Sequence, residues 1–326
     1  LKPGMPAPEF RVESFLKGKP FTAFEKGRIY IVEFWATWCG PCVMSMPHLS
    51  ELQREYSDKH VTICGVNVWQ EKEYSPATLD TVTKFVQTKG DGMDYSVAYD
   101  GAAAAMAEHW LEAAGATGIP FAFVVDRAGT IAWCGHPSML DMVLDEVTRG
   151  TWDIASGRDR LRAAAKAFTD AGEKYKESLA AGDAAWAGAM KQYPALGRTR
   201  ESLKLGAMLG ARHMDAACAL GGQIIDAAQM AKTLGPIMEV LEALGDPALL
   251  EKPAARDLFL KAARANLELA DGNEPGPHVL MAKAHFYAGQ DDLGHAEAKR
   301  ALDLAPAASR ASFERWLNEI EAQAKQ

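Results

Sequence analysis

The chain has no hydrophobic run long enough to cross a bilayer: the longest, around Ile29 to Trp38, is broken by Glu33 and falls short of the roughly 18 residues a span requires. It also has no basic block. Lysine and arginine number 35 against 43 acidic residues, and the net charge of −8 is spread along the chain, which argues against a nucleic-acid-binding surface. No G-x-G-x-x-G fingerprint follows a strand-like segment, so neither flavin nor nicotinamide is expected. The eight histidines show no H-x-x-x-H spacing, and none calls for a metal. Cysteine is scarce: five in 326 residues cannot build a disulfide framework.

What remains is a chain that is 48% hydrophobic and long enough to bury more than one core. Residues 1–152 mix strand and helix signals, whereas residues 157–326 are rich in Ala, Leu, Glu and Lys without a convincing strand, so two domains are expected. The chain begins at Leu1 and not Met, which reads as a trimmed form, whether by signal peptidase or by removal of a predicted leader.

Four β-rich runs stand out in the first part: Arg28 to Trp35, Val61 to Val68, Phe121 to Val125 and Thr130 to Trp133. Helical stretches are expected at Cys42 to Tyr56, Pro76 to Thr88, Ala102 to Ala113 and Met139 to Arg149. A helix between the first two runs implies that they pair in parallel, and Asp126-Arg127-Ala128-Gly129 reads as the turn of a hairpin joining the last two. The second part reads as helices at Ser156 to Leu179, Ala184 to Gln192, Arg198 to Leu209, Asp215 to Leu234, Ile237 to Leu244 and Ala254 to Leu269, with three more to the end. Within it, Pro275 to Pro306 carries small residues at Ala282, Gly294 and Ala301, with Gly289 between its two helices and a closing Pro306. That is a degenerate tetratricopeptide-like spacing; a helical bundle of no named family is the plainer alternative.

The chemistry is sought at Trp38-Cys39-Gly40-Pro41-Cys42, where a strand ends and a helix begins. The first sulfur is expected to be exposed near unpaired N–H groups and the positive end of the helix dipole, which stabilises a thiolate at Cys39. Cys42, one turn on and deeper, can resolve a mixed disulfide. A zinc half-site is the competing reading, but no second C-x-x-C or C-x-x-H follows. Glu33 lies six residues before Cys39 in the middle of an apolar strand. Burial would raise its pKa and suit it to take the proton from Cys42; alternatively it turns to solvent or to a lysine. Ala116-Thr117-Gly118-Ile119-Pro120 precedes the third run, a place for Pro only at the first strand position or in a cis turn. Cys64 and Cys218 read as small buried residues, and Cys134 follows an edge-like strand.

Residues 1 to about 150 resemble the thioredoxin superfamily, and closely its TlpA/ResA-like branch within the redoxin group. The likeness rests on Gly4-Met5-Pro6-Ala7-Pro8-Glu9-Phe10, Phe34-Trp35-Ala36-Thr37-Trp38-Cys39-Gly40-Pro41-Cys42, Gly118-Ile119-Pro120 and Val124-Val125-Asp126-Arg127-Ala128-Gly129-Thr130-Ile131. The resemblance implies an α/β thioredoxin fold, a central mixed sheet flanked by helices, followed here by an all-α helical-hairpin domain. It implies a cis Pro120 abutting the dithiol, Ile119 offering backbone hydrogen bonds to an extended substrate, Trp38, Gly40 and Pro41 at the substrate surface, and Glu33 as the family's buried acid. Catalysis would need only the Cys39/Cys42 pair and no cofactor. The substrate would be a protein disulfide and the electrons would come from a partner protein, outside the cytoplasm, in the periplasm, with a cytoplasmic location as the alternative. In the thioredoxin arrangement the strands of Cys64 and Cys134 are not adjacent, so those thiols are not expected to pair. A thiol peroxidase of the redoxin group is the runner-up, weakened because Thr37 lies two and not three residues before Cys39. A third reading makes the helical part an interaction scaffold carrying a redox module. Cys134 in Trp133-Cys134-Gly135-His136 and the whole helical part depart from the common family pattern.

Overall fold

A computed structural model describes every residue except 71–75, 197–200, 271–273, 306–309 and 326. The chain forms two compact units, residues 1–167 with 193–196, and residues 168–192 with 197–326.

The first unit is built on six strands: β1 (Ser14–Lys17), β2 (Ile29–Trp35), β3 (Val61–Asn67), β4 (Ser96–Tyr99), β5 (Phe121–Val125) and β6 (Ile131–Gly135). They form one sheet in the order β1-β4-β3-β2-β5-β6. β2, β3 and β4 pair in parallel, while β1, β5 and β6 join their neighbours antiparallel. Four of these strands are those expected from the sequence. β1 and β4 are not among them, because four residues are too few to show an alternation against their surroundings. The crossover from β2 to β3 runs through helix α1 (Gly40–Glu55), and α2 (Pro76–Lys89) follows β3; α3 (Leu140–Arg149) follows β6, and α4 begins at Ile154.

The helix expected over Ala102 to Ala113 starts later, at Ala105, and winds as a π-helical segment, Ala107–Leu111, and then a 3₁₀ turn, Glu112–Ala114. The buried Asp100 carboxylate accepts the N–H groups of Met106 and Ala107 at 2.8 and 2.9 Å and so caps the start of this segment. One face of the sheet, with Val32, Phe34, Val66 and Phe123, packs on Trp110 and Phe10. The other face carries Ile31, Glu33 and Trp35, and Trp35 meets Phe85 of α2 at 5.5 Å between ring centres. The Asp126 turn joins β5 and β6 as expected: its carboxylate accepts from Ala128 and Thr130, and Gly129 takes the left-handed backbone. The N-terminal segment laces this hairpin through Gly4 N–H to Ile131 O and Ile131 N–H to Met5 O.

The second unit is helical. After α4 (Ile154–Glu173), which belongs to the first unit as far as Ala167, come α5 (Leu179–Gln192), α6 (Glu201–Gly210), α7 (Met214–Ala231), α8 (Gly235–Ala243), α9 (Pro247–Leu250), α10 (Pro253–Leu269), α11 (Pro275–Tyr287), α12 (Asp291–Leu304) and α13 (Arg310–Ala324). The helix expected to run to Leu179 stops at Glu173, and α5 starts five residues before the expected Ala184. The break lets the ring of Tyr175, fully buried, fold against Gly182, where a Cβ would lie 2.2 Å from it. Arg198, expected to open α6, and Pro306, expected to close α12, lie outside the described residues. Cys218 is half-buried in α7 and not enclosed as expected. Among the described residues no helix is long and apolar enough to cross a membrane.

α11 and α12 form a packed pair. Ala282 and Ala301 are fully buried, Gly289 turns the chain with φ +68°, and Gly294 lies under the ring of Phe286. A Cβ at Gly294 would sit 2.5 Å from Phe286 Cδ1, so the ring must move to admit it. Gly294→Ala should therefore cost about 1–3 kcal/mol through overpacking, despite the helical preference of Ala. Urea unfolding followed by circular dichroism checks it; an equal or higher midpoint would show that the helix pair yields.

Candidate active site

β2 ends at Trp35 and α1 begins at Gly40, with Cys39 as the N-cap in extended backbone conformation. Its sulfur accepts the N–H of Cys42 at 3.2 Å, one of the donors that a helix start leaves unpaired. Cys39 and Cys42 are joined as a disulfide. The cap and the dipole together favour negative charge on Cys39 once the bond is opened. The expected exposure of the first sulfur is not met in this oxidised form: Cys39 is 4% exposed and Cys42 not at all. The covering group is the backbone of Ile119, whose carbonyl oxygen lies 3.7 Å from Cys39 Sγ.

Register explains why that backbone is there. β5 runs antiparallel to β2 with Phe121 opposite Phe34, so the residues just before Phe121 sit at the end of β2 that leads into the cysteines. The Ile119–Pro120 peptide bond is cis, Pro120 is buried and Ile119 is partly open. Trp38 is 59% exposed, and Gly40 and Pro41 are exposed beside it.

Glu33 is 1% exposed, so the solvent-facing and lysine-paired alternatives fall away: neither carboxylate oxygen has a hydrogen-bond partner among the described residues. Its neighbours in register are Gly65 in β3 and Ala122 in β5. Burial alone pushes its pKa up to about 8, so near neutral pH it can hold or release a proton. Cys64 is buried, its thiol pushed upward by burial and by the Glu33 charge, and it is inert as a nucleophile. Cys134 is a half-buried thiol on β6, opposite Phe123, with two strands between it and the strand of Cys64.

A clamp absent from the sequence reading holds the loop before the cysteines. Gln70 Oε1 accepts from the Thr37 N–H and from Asn67 Nδ2, both at 3.0 Å, and Gln70 Nε2 donates to Thr37 Oγ1. Trp38 Nε1 donates to Trp69 O at 2.9 Å. Nothing in the sequence marks Gln70, because its role depends on parallel pairing that brings the ends of β2 and β3 side by side. Among the described residues no group of three or more His, Cys, Asp or Glu is placed to hold a metal.

The profile of the Redoxin family matches residues 2–146. Protein FixW of Rhizobium leguminosarum is 35% identical over 167 residues, covering 49% of this chain and 72% of FixW. The chain belongs to the redoxin family. Within it, the likeness is to TlpA/ResA-like members of the thioredoxin superfamily: thiol-disulfide oxidoreductase ResA of Geobacillus thermodenitrificans is 30% identical over 129 residues, covering 39% of this chain and 66% of ResA. A thiol:disulfide interchange protein of Chlorobium tepidum, of known structure, is 30% identical and covers 47% of this chain and 99% of that one, with a TM-score of 0.36. With these relatives, the chain is a thiol-disulfide oxidoreductase whose redox group is a cysteine pair, and the fold supplies one pair, Cys39 and Cys42.

The buried acid of this redoxin has a stability consequence. Unfolded, Glu33 loses its proton near its ordinary pKa of about 4.3, whereas folded it keeps it until about pH 8. The unfolded chain binds fewer protons across that window, so stability falls as pH rises through it and levels off above pH 8. Glu33→Gln removes the effect. The variant should gain on the wild type by roughly 3–5 kcal/mol between pH 4 and pH 9, read by chemical denaturation of the oxidised proteins; parallel stability curves would show that the Glu33 carboxyl does not titrate in this window.

Proposed function

We propose that this redoxin reduces disulfides in partner proteins, with Cys39 as nucleophile, Cys42 as resolving thiol and Glu33 as acid/base. The observation that carries the reading is the cap: only the sulfur of Cys39 accepts a helix-start N–H, so Cys39 is the sulfur whose thiolate the fold stabilises. The Cys39 thiolate attacks one sulfur of the substrate disulfide, forming a mixed disulfide and releasing the other sulfur as thiolate. Cys42 then gives its proton to the Glu33 carboxylate and attacks Cys39 Sγ. The Cys39–Cys42 bond forms, the mixed bond breaks and the second substrate sulfur leaves. Two electrons have passed to the substrate, and a dithiol donor protein restores them. Trp38, Gly40 and Pro41 offer the exposed rim for the substrate, while Ile119 and Pro120 offer backbone to an extended segment. By its likeness to ResA-like proteins we place the reaction outside the cytoplasm, in the periplasm.

Trapping tests the assignment. Cys42→Ser should accumulate mixed disulfides with substrate, visible on non-reducing gels, and Cys39→Ser should not; equal trapping by both variants would overturn it.

The helical part, residues 157–326, we read as a tetratricopeptide-like domain that recruits a protein partner for a redox domain spanning 1–152. Support comes from the α11–α12 pair, with small residues at its contact, and from exposed Leu203, Met230, Leu293 and Trp316. A chain ending at residue 196 keeps all of the first unit. It should reduce a small generic disulfide at the full-length rate and lose activity on the native partner. Loss of both activities together would make the helical part structural.

A further inference from the structure

On the face of the sheet that carries Glu33, alternation places Trp35 on β2 and Gly65 and Asn67 on β3, with Glu33 beside Gly65 and Trp35 beside Asn67. This patch holds an unusual concentration of buried polar atoms without partners among the described residues: both Glu33 oxygens, Trp35 Nε1, Asn67 Oδ1 and, from the residue before β4, the Tyr95 hydroxyl. Gly65 makes their approach possible. A Cβ there would lie 3.0 Å from Tyr95 Cε2 and 3.2 Å from Trp35 Nε1, so the missing side chain is what lets the phenol and indole rings pack over the residue beside Glu33. Buried polar groups of this kind are satisfied by internal water when donors and acceptors converge. Here the set is complementary: two N–H or O–H donors, and acceptors on Glu33 and Asn67.

We propose that Tyr95 is a positioning residue for Glu33: its hydroxyl, with the Trp35 N–H, donates to a water, and that water donates to the Glu33 carboxylate and to Asn67 Oδ1. The inference rests on the acid/base reading of Glu33 for its meaning in catalysis, but not for its geometry. Donors routed to the carboxylate favour its charged form, so Tyr95 brings the proton affinity of a bare buried carboxyl down toward the working range. Burial, and after it the Glu33 charge, keeps the phenol protonated and able to donate. Of the other titratable groups, Cys64 on β3 belongs to the opposite face, with Val32 and Val66, and its thiol is held well above its ordinary pKa; Cys42 at the start of α1 does not titrate while the disulfide is closed. From α1 and α2 the buried residues Met46, Leu49 and Val82, with Phe85 on Trp35, are apolar.

The test is a titration of the Glu33 side-chain carboxyl carbon by NMR in the oxidised full-length protein, assigned by its disappearance in Glu33→Gln. Tyr95→Phe should raise the midpoint by about one pH unit, since it removes a donor from the charged form and keeps the ring. An unmoved or lowered midpoint overturns the proposal. In the wild type, Tyr95 Cζ should shift with the same midpoint as Glu33; a Cζ resonance constant through that titration overturns it too, however the variant folds. Turnover of a disulfide substrate by Glu33→Gln separates the underlying reading. A loss of roughly 10²-fold near neutral pH supports the acid/base role, whereas unchanged turnover removes Glu33 from the chemistry and leaves the carboxyl titration to decide on Tyr95.

Discussion

Everything at the redox site depends on the double pairing of β2. The strand has β3 on one edge and β5 on the other, and all seven of its residues are buried. A strand so enclosed must exit into a turn that satisfies the next helix, and Cys39 caps that helix with its own sulfur. The parallel neighbour delivers Asn67 and the residues after it to the same end. The antiparallel neighbour delivers Ile119 and Pro120 from the opposite direction. Three chain segments distant in sequence therefore converge where β2 stops.

Enclosure also explains the cost carried by Glu33. A carboxyl with no partner in this position would be strongly disfavoured if ionised, and the protein keeps it by letting it stay protonated over much of the neutral range. Gly65 and Ala122 flank it in register, so neither edge offers a cation. A lysine at either place would have bound the charge and removed the group from proton exchange near neutrality.

Much of the first unit was legible because long buried strands and cysteine-motif residues carry local signals. Phe121–Val125 coincides with its expected range, and the other three long strands are displaced by one or two residues at an end. What was illegible is long-range. β1 and β4 are short, the Asp100 cap starts a helical stretch later than its alanines suggest, and the Gln70 clamp exists only once β2 and β3 are paired. The near-burial of Cys39 also had no local sign, since the covering Ile119 lies eighty residues away. In the second unit the number of long helices could be anticipated but their ends could not. Tyr175 against Gly182 shows why: the break between α4 and α5 is set by a ring finding a residue without a side chain, not by a helix-breaking sequence.

The clamp by Gln70 bears on what the pentapeptide Trp38-Cys39-Gly40-Pro41-Cys42 is. Its first residue is tied to Trp69 O, and the preceding Thr37 is tied at both backbone and hydroxyl to one amide on another segment. The five residues are thus the visible part of a two-segment assembly. Grafted alone onto a related sheet, they would carry the sulfurs without the brace that orients them. The motif is not a portable cassette, and a transplant would have to bring residues 67–70 with it.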